Sequence, residues 1–135
     1  MTPTGNLSSI VDSSLLIAFF NKEDELFSRS KALLKSQESP LVIIDAVLHE
    51  TLALLRKRVG KKIAHKAAEQ FLDSAFFNIH FSGETVLKNA LELFIAEKAR
   101  YSFADCVIIT EARIQKIPIL TFDRHFKNFD LTVIP

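Results

Sequence analysis

The stretch Ile10-Val11-Asp12-Ser13-Ser14-Leu15-Leu16-Ile17 decides the fold of this chain. A short apolar run ends on an acid, two serines follow, and a second apolar run opens with helical character. Such a pattern reads as a strand over 8–12 delivering its chain into a helix over 13–21. The same alternation recurs to the end. Apolar runs at 41–44, 76–81, 117–122 and 131–134 read as further strands. The segments 23–37, 45–59, 61–75, 83–99 and 102–116 read as helices, with a turn near 124–128. Strands alternating with helices predict an α/β fold whose parallel sheet is covered on both faces. Ligands in such sheets bind beyond the carboxyl ends of the strands.

At 135 residues, with 48% apolar and 24% charged positions, the chain has the length and composition for one domain, 1–135, with a real core. It holds only three Gly and four Pro, which argues against a disordered chain. Most of the twelve Phe are expected in the core, with Phe19-Phe20 reserved for a subunit or partner surface. A net charge of +1 gives no global sign of a polyanion binder. One Cys excludes an intramolecular disulfide framework and a Cys-based zinc site. No apolar run approaches the length of a membrane span, and the first residues lack a secretory pattern, so no membrane contact and a cytoplasmic location are expected.

Four acids stand where such a sheet would present a ligand. Asp12 closes the first strand and Asp123 closes Ile119-Leu120-Thr121-Phe122-Asp123. Glu50 sits on the edge of the apolar arc formed by Val47, Leu48, Thr51, Leu52, Leu54 and Leu55 at about 100° per residue. Asp105 lies on the same helical face as Ile108, Ile109 and Ala112, in the first turn, where the helix dipole favours a negative charge. Carboxylates near a core cost free energy unless something compensates them. Four that converge suggest a hard divalent cation and phosphate chemistry.

Each acid also has a bland explanation. Asp12 and Asp123 can cap the turns that follow them, Ser102 and Asp105 have capping-box spacing, and Glu50 can be a solvated helix residue. Asp45 reads as the N-cap of the helix that carries Glu50. Cys106 reads as a small core residue, and His49, His65, His80 and His125 as surface or structural groups. Arg56-Lys57-Arg58, Lys61-Lys62 and Lys66 place six cations within eleven positions. They read either as solvated helix faces or, through Arg56, Lys61 and Lys62, as contacts to phosphates.

Taken in order, these blocks resemble the PIN-domain family, most closely its VapC-type toxins. The resemblance rests on Ile10-Val11-Asp12-Ser13-Ser14, on Val47-Leu48-His49-Glu50 with Leu54-Leu55-Arg56, on Ser102-Phe103-Ala104-Asp105, and on Leu120-Thr121-Phe122-Asp123-Arg124-His125-Phe126. It implies a three-layer domain with a central parallel sheet of about five strands flanked by helices. It implies Mg²⁺ or Mn²⁺ dependence and endonucleolytic cleavage of RNA. Asp12 and Asp105 map to the principal metal ligands, Glu50 and Asp123 complete the acidic cluster, and Ser14 and Thr121 support it. A protein antitoxin and a homodimer are implied as partners. Two departures stand out: Gln115-Lys116-Ile117-Pro118 occupies a turn where the family often has Gly, and Asp45 stands where Ser or Thr is commoner. Alternatives are a housekeeping PIN nuclease of RNA processing, a PIN-like module kept for interaction only, and a phosphoacceptor domain. The last needs an adjacent acid pair near the N-terminus and a Lys after a late strand, whereas Asp12 has serines beside it and Leu131-Thr132-Val133-Ile134 holds no Lys.

Overall fold

A computed structural model describes residues 8–73, 75–96, 101–129 and 131–135. Five strands form one sheet: β1 (Ile10–Val11), β2 (Leu41–Ile44), β3 (Phe77–His80), β4 (Ile119–Leu120) and β5 (Val133–Ile134). Their spatial order is β3-β2-β1-β4-β5, and every pairing is parallel. Six helices connect them: α1 (Ser13–Phe20), α2 (Phe27–Lys35), α3 (Asp45–Arg58), α4 (Lys61–Phe71), α5 (Glu84–Ala96) and α6 (Phe103–Gln115). A 3-10 turn, Arg124–Asn128, follows β4. The fold is the expected three-layer arrangement, a central parallel sheet flanked by helices.

Every residue of β1, β2 and β4 is buried. Successive strand side chains point to opposite faces, so burial of all of them means that both faces are covered. The core is aliphatic, centred on Ile10, Leu15, Leu16, Ile43, Ile44, Ile108, Ile109, Ile119 and Leu120. Phenylalanine contributes less than expected. Phe20, Phe71, Phe77 and Phe126 are buried, whereas Phe76, Phe81 and Phe94 are exposed.

The elements begin and end close to where the sequence predicts, and the exceptions have local causes. α2 starts at Phe27 rather than near 23, because the Asp24 carboxylate accepts from Leu26 N–H and holds a turn there. The expected helix over 83–99 is α5, and its predicted last residues lie outside the described ones. α6 ends where Lys116 adopts the left-handed conformation at φ 56°. A lysine therefore performs the turn that glycine performs more cheaply, which accounts for the first departure from the family pattern. At Gly60, φ 132° opens α4 with a backbone that a side chain would strain.

Asp45 is not the N-cap it was expected to be. It is the first residue of α3, with Ile44 in the cap position, and its Oδ1 accepts from Ser82 N–H at 3.3 Å. The acid thus ties the start of α3 to the segment after β3. Beyond it, Thr51 Oγ1 is buried without a hydrogen-bond partner among the described residues. Thr51→Val, which keeps the shape and removes the hydroxyl, is expected to raise unfolding stability by about 1 kcal/mol. Urea unfolding curves of the two proteins check this, and a loss of stability would show that the hydroxyl is satisfied.

Candidate metal centre at the carboxyl edge of the sheet

β1 and β4 are neighbours at the middle of the sheet, yet the chain leaves β1 toward β2 on the other side. The strand order therefore reverses between β1 and β4. In open α/β sheets the crevice beyond the strand ends at such a reversal is where ligands sit. Asp12 immediately follows β1, and Asp123 lies just after β4. Asp12 N–H donates to Leu120 O at 2.9 Å, which fixes the two strand ends side by side.

Asp12 is 3% exposed, and its carboxylate is held by hydroxyls. Ser14 Oγ donates to Asp12 Oδ2 at 2.7 Å, and Thr121 Oγ1 donates to the same oxygen at 2.8 Å. Thr121 Oγ1 in turn accepts from Asp123 N–H at 2.9 Å. A serine in the first turn of α1 and a threonine just after β4 thus converge on one oxygen. Although Asp12 occupies the N-cap position of α1, its side chain makes no cap hydrogen bond, so the capping explanation fails for this acid. Burial raises its pKa from the usual carboxylate value, opposed by the hydrogen bonds from Ser14, Thr121 and the Ser13 backbone, with the Asp123 charge raising it further.

The other three acids surround Asp12, each with an attachment of its own. Glu50 Oε2 accepts from Ser13 Oγ at 2.9 Å, which draws α3 to the start of α1. Asp105 Oδ2 accepts from Ser102 N–H at 3.0 Å while its own N–H donates to Ser102 Oγ at 3.1 Å. The capping box read from the sequence is therefore present at the start of α6. Asp123 Oδ1 accepts from His125 N–H at 2.9 Å and pairs with His125 Nδ1 at 2.9 Å. Here both the capping role and the position at the crevice hold together.

Burial pushes the Asp105 carboxyl up to about 6, opposed by the Ser102 backbone hydrogen bond and reinforced by the charges of Asp12 and Glu50. A carboxyl whose folded pKa exceeds its unfolded value of 3.8 stabilises the fold most when protonated. Its contribution is full below the unfolded value and is lost as pH rises through about 6. Asp105→Asn is expected to flatten the stability profile across that window and to stabilise the protein alone at neutral pH. Chemical unfolding across the window tests this, and an unaltered slope would remove Asp105 as its source.

The donor set consists of hard carboxylate and hydroxyl oxygens, the chemistry that suits Mg²⁺ or Mn²⁺. Among the described residues, however, no three His, Cys, Asp or Glu side chains stand ready to hold an ion as they are. The hydrogen bonds above explain this. Glu50, Asp105 and Asp123 are each tethered to their own neighbour, and like charges without a cation have no reason to close in.

Outside this group, the predicted RNA contacts Arg56, Lys61 and Lys62 are exposed and lie at and beyond the far end of α3, which starts at the crevice. Cys106 is buried, as expected. One acid was not singled out from sequence. Glu111 on α6 is 2% exposed, with His80 Nε2 at 2.7 Å, Ser82 Oγ donating at 2.7 Å and Gln115 Nε2 donating at 3.1 Å. Only the apolar neighbours of Glu111 along α6 could have signalled its burial.

The PIN-domain family model matches residues 9–131. A VapC ribonuclease of Archaeoglobus fulgidus is 25% identical over 126 residues, covering 89% of this chain and 80% of the relative. The crystal structure of Mycobacterium tuberculosis VapC20, described as a sarcin-ricin loop cleaving toxin, superposes with a TM-score of 0.87 at 27% identity, covering 95% of this chain and all of that one. VapBC2 of Rickettsia felis, solved bound to a DNA fragment from its promoter, gives a TM-score of 0.70 at 17% identity, covering 94% of this chain and 97% of that one, a likeness of fold alone. With the family match running over nearly its whole length, this chain belongs to the PIN-domain family.

Proposed function

We propose that this chain is a divalent-metal-dependent endoribonuclease and the toxin of a toxin–antitoxin pair. The observation that carries the reading is the Asp12 carboxylate, buried at the strand-order reversal and held by Ser14 and Thr121. A buried acid oriented by two hydroxyls and surrounded by three further acids is costly for the protein alone. Such an arrangement is explained by a cation that binds there. The relatives named VapC ribonuclease and sarcin-ricin loop cleaving toxin support RNA as substrate.

Asp12 and Asp105 would be the principal ligands, with Glu50 and Asp123 completing the set. A bound Mg²⁺ or Mn²⁺ would supply charge neutralisation at the scissile phosphate and a lower pKa for the attacking water. Ser14 and Thr121 hold Asp12 in one orientation, and the Ser102 capping box does the same for Asp105. The Ser13 hydroxyl positions Glu50 toward the crevice rather than solvent. Mapping the new ends produced when the purified chain meets cellular RNA tests the reading. Discrete internal breaks are expected, and RNA left intact under every metal condition would refute it.

The antitoxin would occupy a groove of about 390 Å³ between α1, α2 and α4, floored by Phe19, Phe20, Phe27, Val59 and Ile63. Lys22, Lys31 and Lys66 rim it, which suits an amphipathic helix with acidic flanks. Phe19 and Phe20, expected at a subunit or partner surface, both line this groove, although Phe20 is largely buried. A separate apolar stripe, Leu87, Leu91, Phe94 and Ile95, is exposed along α5 and is the face a homodimer would bury. The family's solved complexes, such as the toxin–antitoxin complex from Klebsiella pneumoniae, support a protein partner.

A further inference from the structure

We propose that a second cleft beside the acids, lined by Arg29, Arg124 and Lys127, carries the phosphate backbone of the RNA next to the site of cleavage; this rests on the ribonuclease reading. The cleft holds about 270 Å³ and opens between the start of α2 and the segment after β4. Thr121 and Asp123 belong to its wall, and Thr121 is the residue whose hydroxyl holds Asp12. The cleft and the acidic crevice are therefore continuous through one side chain.

Three features point to phosphate. First, Arg29, Arg124 and Lys127 are exposed, and none forms an ion pair among the described residues. The nearest acid in the wall, Asp123, is committed to His125 instead. Three uncommitted cations around one occupied carboxylate make a local positive field beside a cluster that would otherwise repel a polyanion. Second, the Arg29 guanidinium lies 5.2 Å from the centroid of the Phe122 ring. Stacking on the ring orients the guanidinium and leaves its N–H edges for bidentate contact with phosphate oxygens. Third, Phe122 is only half-buried, so its ring can also meet an unstacked base, the way single strands are held beside a charged groove.

The contiguous cations Arg56, Lys61 and Lys62 are also exposed and without an ion pair among the described residues, but they line no cleft beside the acids and lie over no aromatic ring there. They sit at the end of α3 and the start of α4, and Lys66 of the same run lines the apolar groove assigned to the protein partner. The cleft therefore outranks them as the path of the strand.

Binding of a labelled single-stranded RNA to Asp12→Asn protein, followed by fluorescence anisotropy at several salt concentrations, decides the matter. The parent is compared with two further variants in that background: Arg29→Gln/Arg124→Gln/Lys127→Gln and Arg56→Gln/Lys61→Gln/Lys62→Gln. Each phosphate contact to a single strand contributes about 0.7 to the slope of log affinity against log salt, so the cleft triple should lose about 2 in slope and at least about tenfold in affinity. Arg29→Lys, which keeps the charge, should keep the slope. An unchanged slope in the cleft triple, or a loss confined to the α3 and α4 triple, overturns the proposal. So does loss of antitoxin binding with RNA binding intact, which would make the cleft a protein-docking site. These outcomes leave the ribonuclease reading standing when the unmutated chain still cleaves RNA. A chain that neither binds nor cleaves RNA removes that reading itself.

Discussion

Asp12→Asn is expected to lower the rate of RNA cleavage by about a thousandfold, equivalent to about 4 kcal/mol of transition-state stabilisation, while leaving the fold intact. The substitution keeps the size of the side chain and an oxygen that can accept from Ser14 or Thr121. What it removes is the charge, and with it the strongest candidate ligand for a cation. Stability should not fall, because burial already works against the charged form of Asp12. A rate within a few-fold of the parent would show that the buried acid is structural. The same measurement on Asp105→Asn separates the two roles of that residue, since asparagine retains an acceptor for Ser102 N–H and loses only the charge.

Glu111→Ala should act in the opposite sense, on stability first. Its carboxylate is almost fully buried and takes contacts from β3, from the segment after it and from its own helix, through His80, Ser82 and Gln115. Truncation leaves those donors without an acceptor and opens a cavity beside α6. Together these effects are expected to cost about 3–5 kcal/mol. Ser82 also donates its backbone N–H to Asp45, so the same network reaches the start of α3. Glu111→Gln preserves an acceptor and should cost less than Glu111→Ala. Thermal or urea unfolding of both variants checks the order, and equal, small losses would show that the network contributes little to the fold.

The contrast between Asp12 and Glu111 shows what a sequence can disclose here. Asp12 ends an apolar run and precedes two serines, so the sequence itself shows a charge at a strand end. Alternating apolar runs likewise fix the number and order of elements, because a parallel sheet covered on both faces needs strands that are apolar throughout. Glu111, in contrast, sits on a helix whose apolar residues hint at burial, but nothing beside it in Thr110-Glu111-Ala112-Arg113 names a partner for a buried charge. Its burial depends on His80 and Ser82, which only the tertiary fold brings to α6. Asp45 departs from the cap reading for a related reason. Acids at helix starts are usually caps, and only the arrival of Ser82 N–H gives this one a different partner.

Cations follow the same rule. Arg56 to Lys66 draws attention because the charges are contiguous, whereas Arg29, Arg124 and Lys127 are scattered along the chain and meet only in the folded cleft. Contiguity in sequence is a sign of a solvated face as often as of a binding site. The apolar stripe on α5 was hidden differently. Leu87, Leu91, Phe94 and Ile95 have the spacing of a core-facing helix, and the sequence does not say that this face of α5 is left uncovered.

The acids just after β1 and β4, with Glu50 on α3 and Asp105 at the start of α6, are expected to act together as a metal-dependent ribonuclease site. Cleavage of one defined RNA by the purified chain, measured with Mg²⁺ or Mn²⁺ and again in excess EDTA, tests it most directly. Activity should require the cation, vanish in EDTA and return when the metal is restored, with Asp12→Asn unresponsive throughout. Full cleavage in EDTA, or an Asp12→Asn protein that responds to metal as the parent does, would contradict the account.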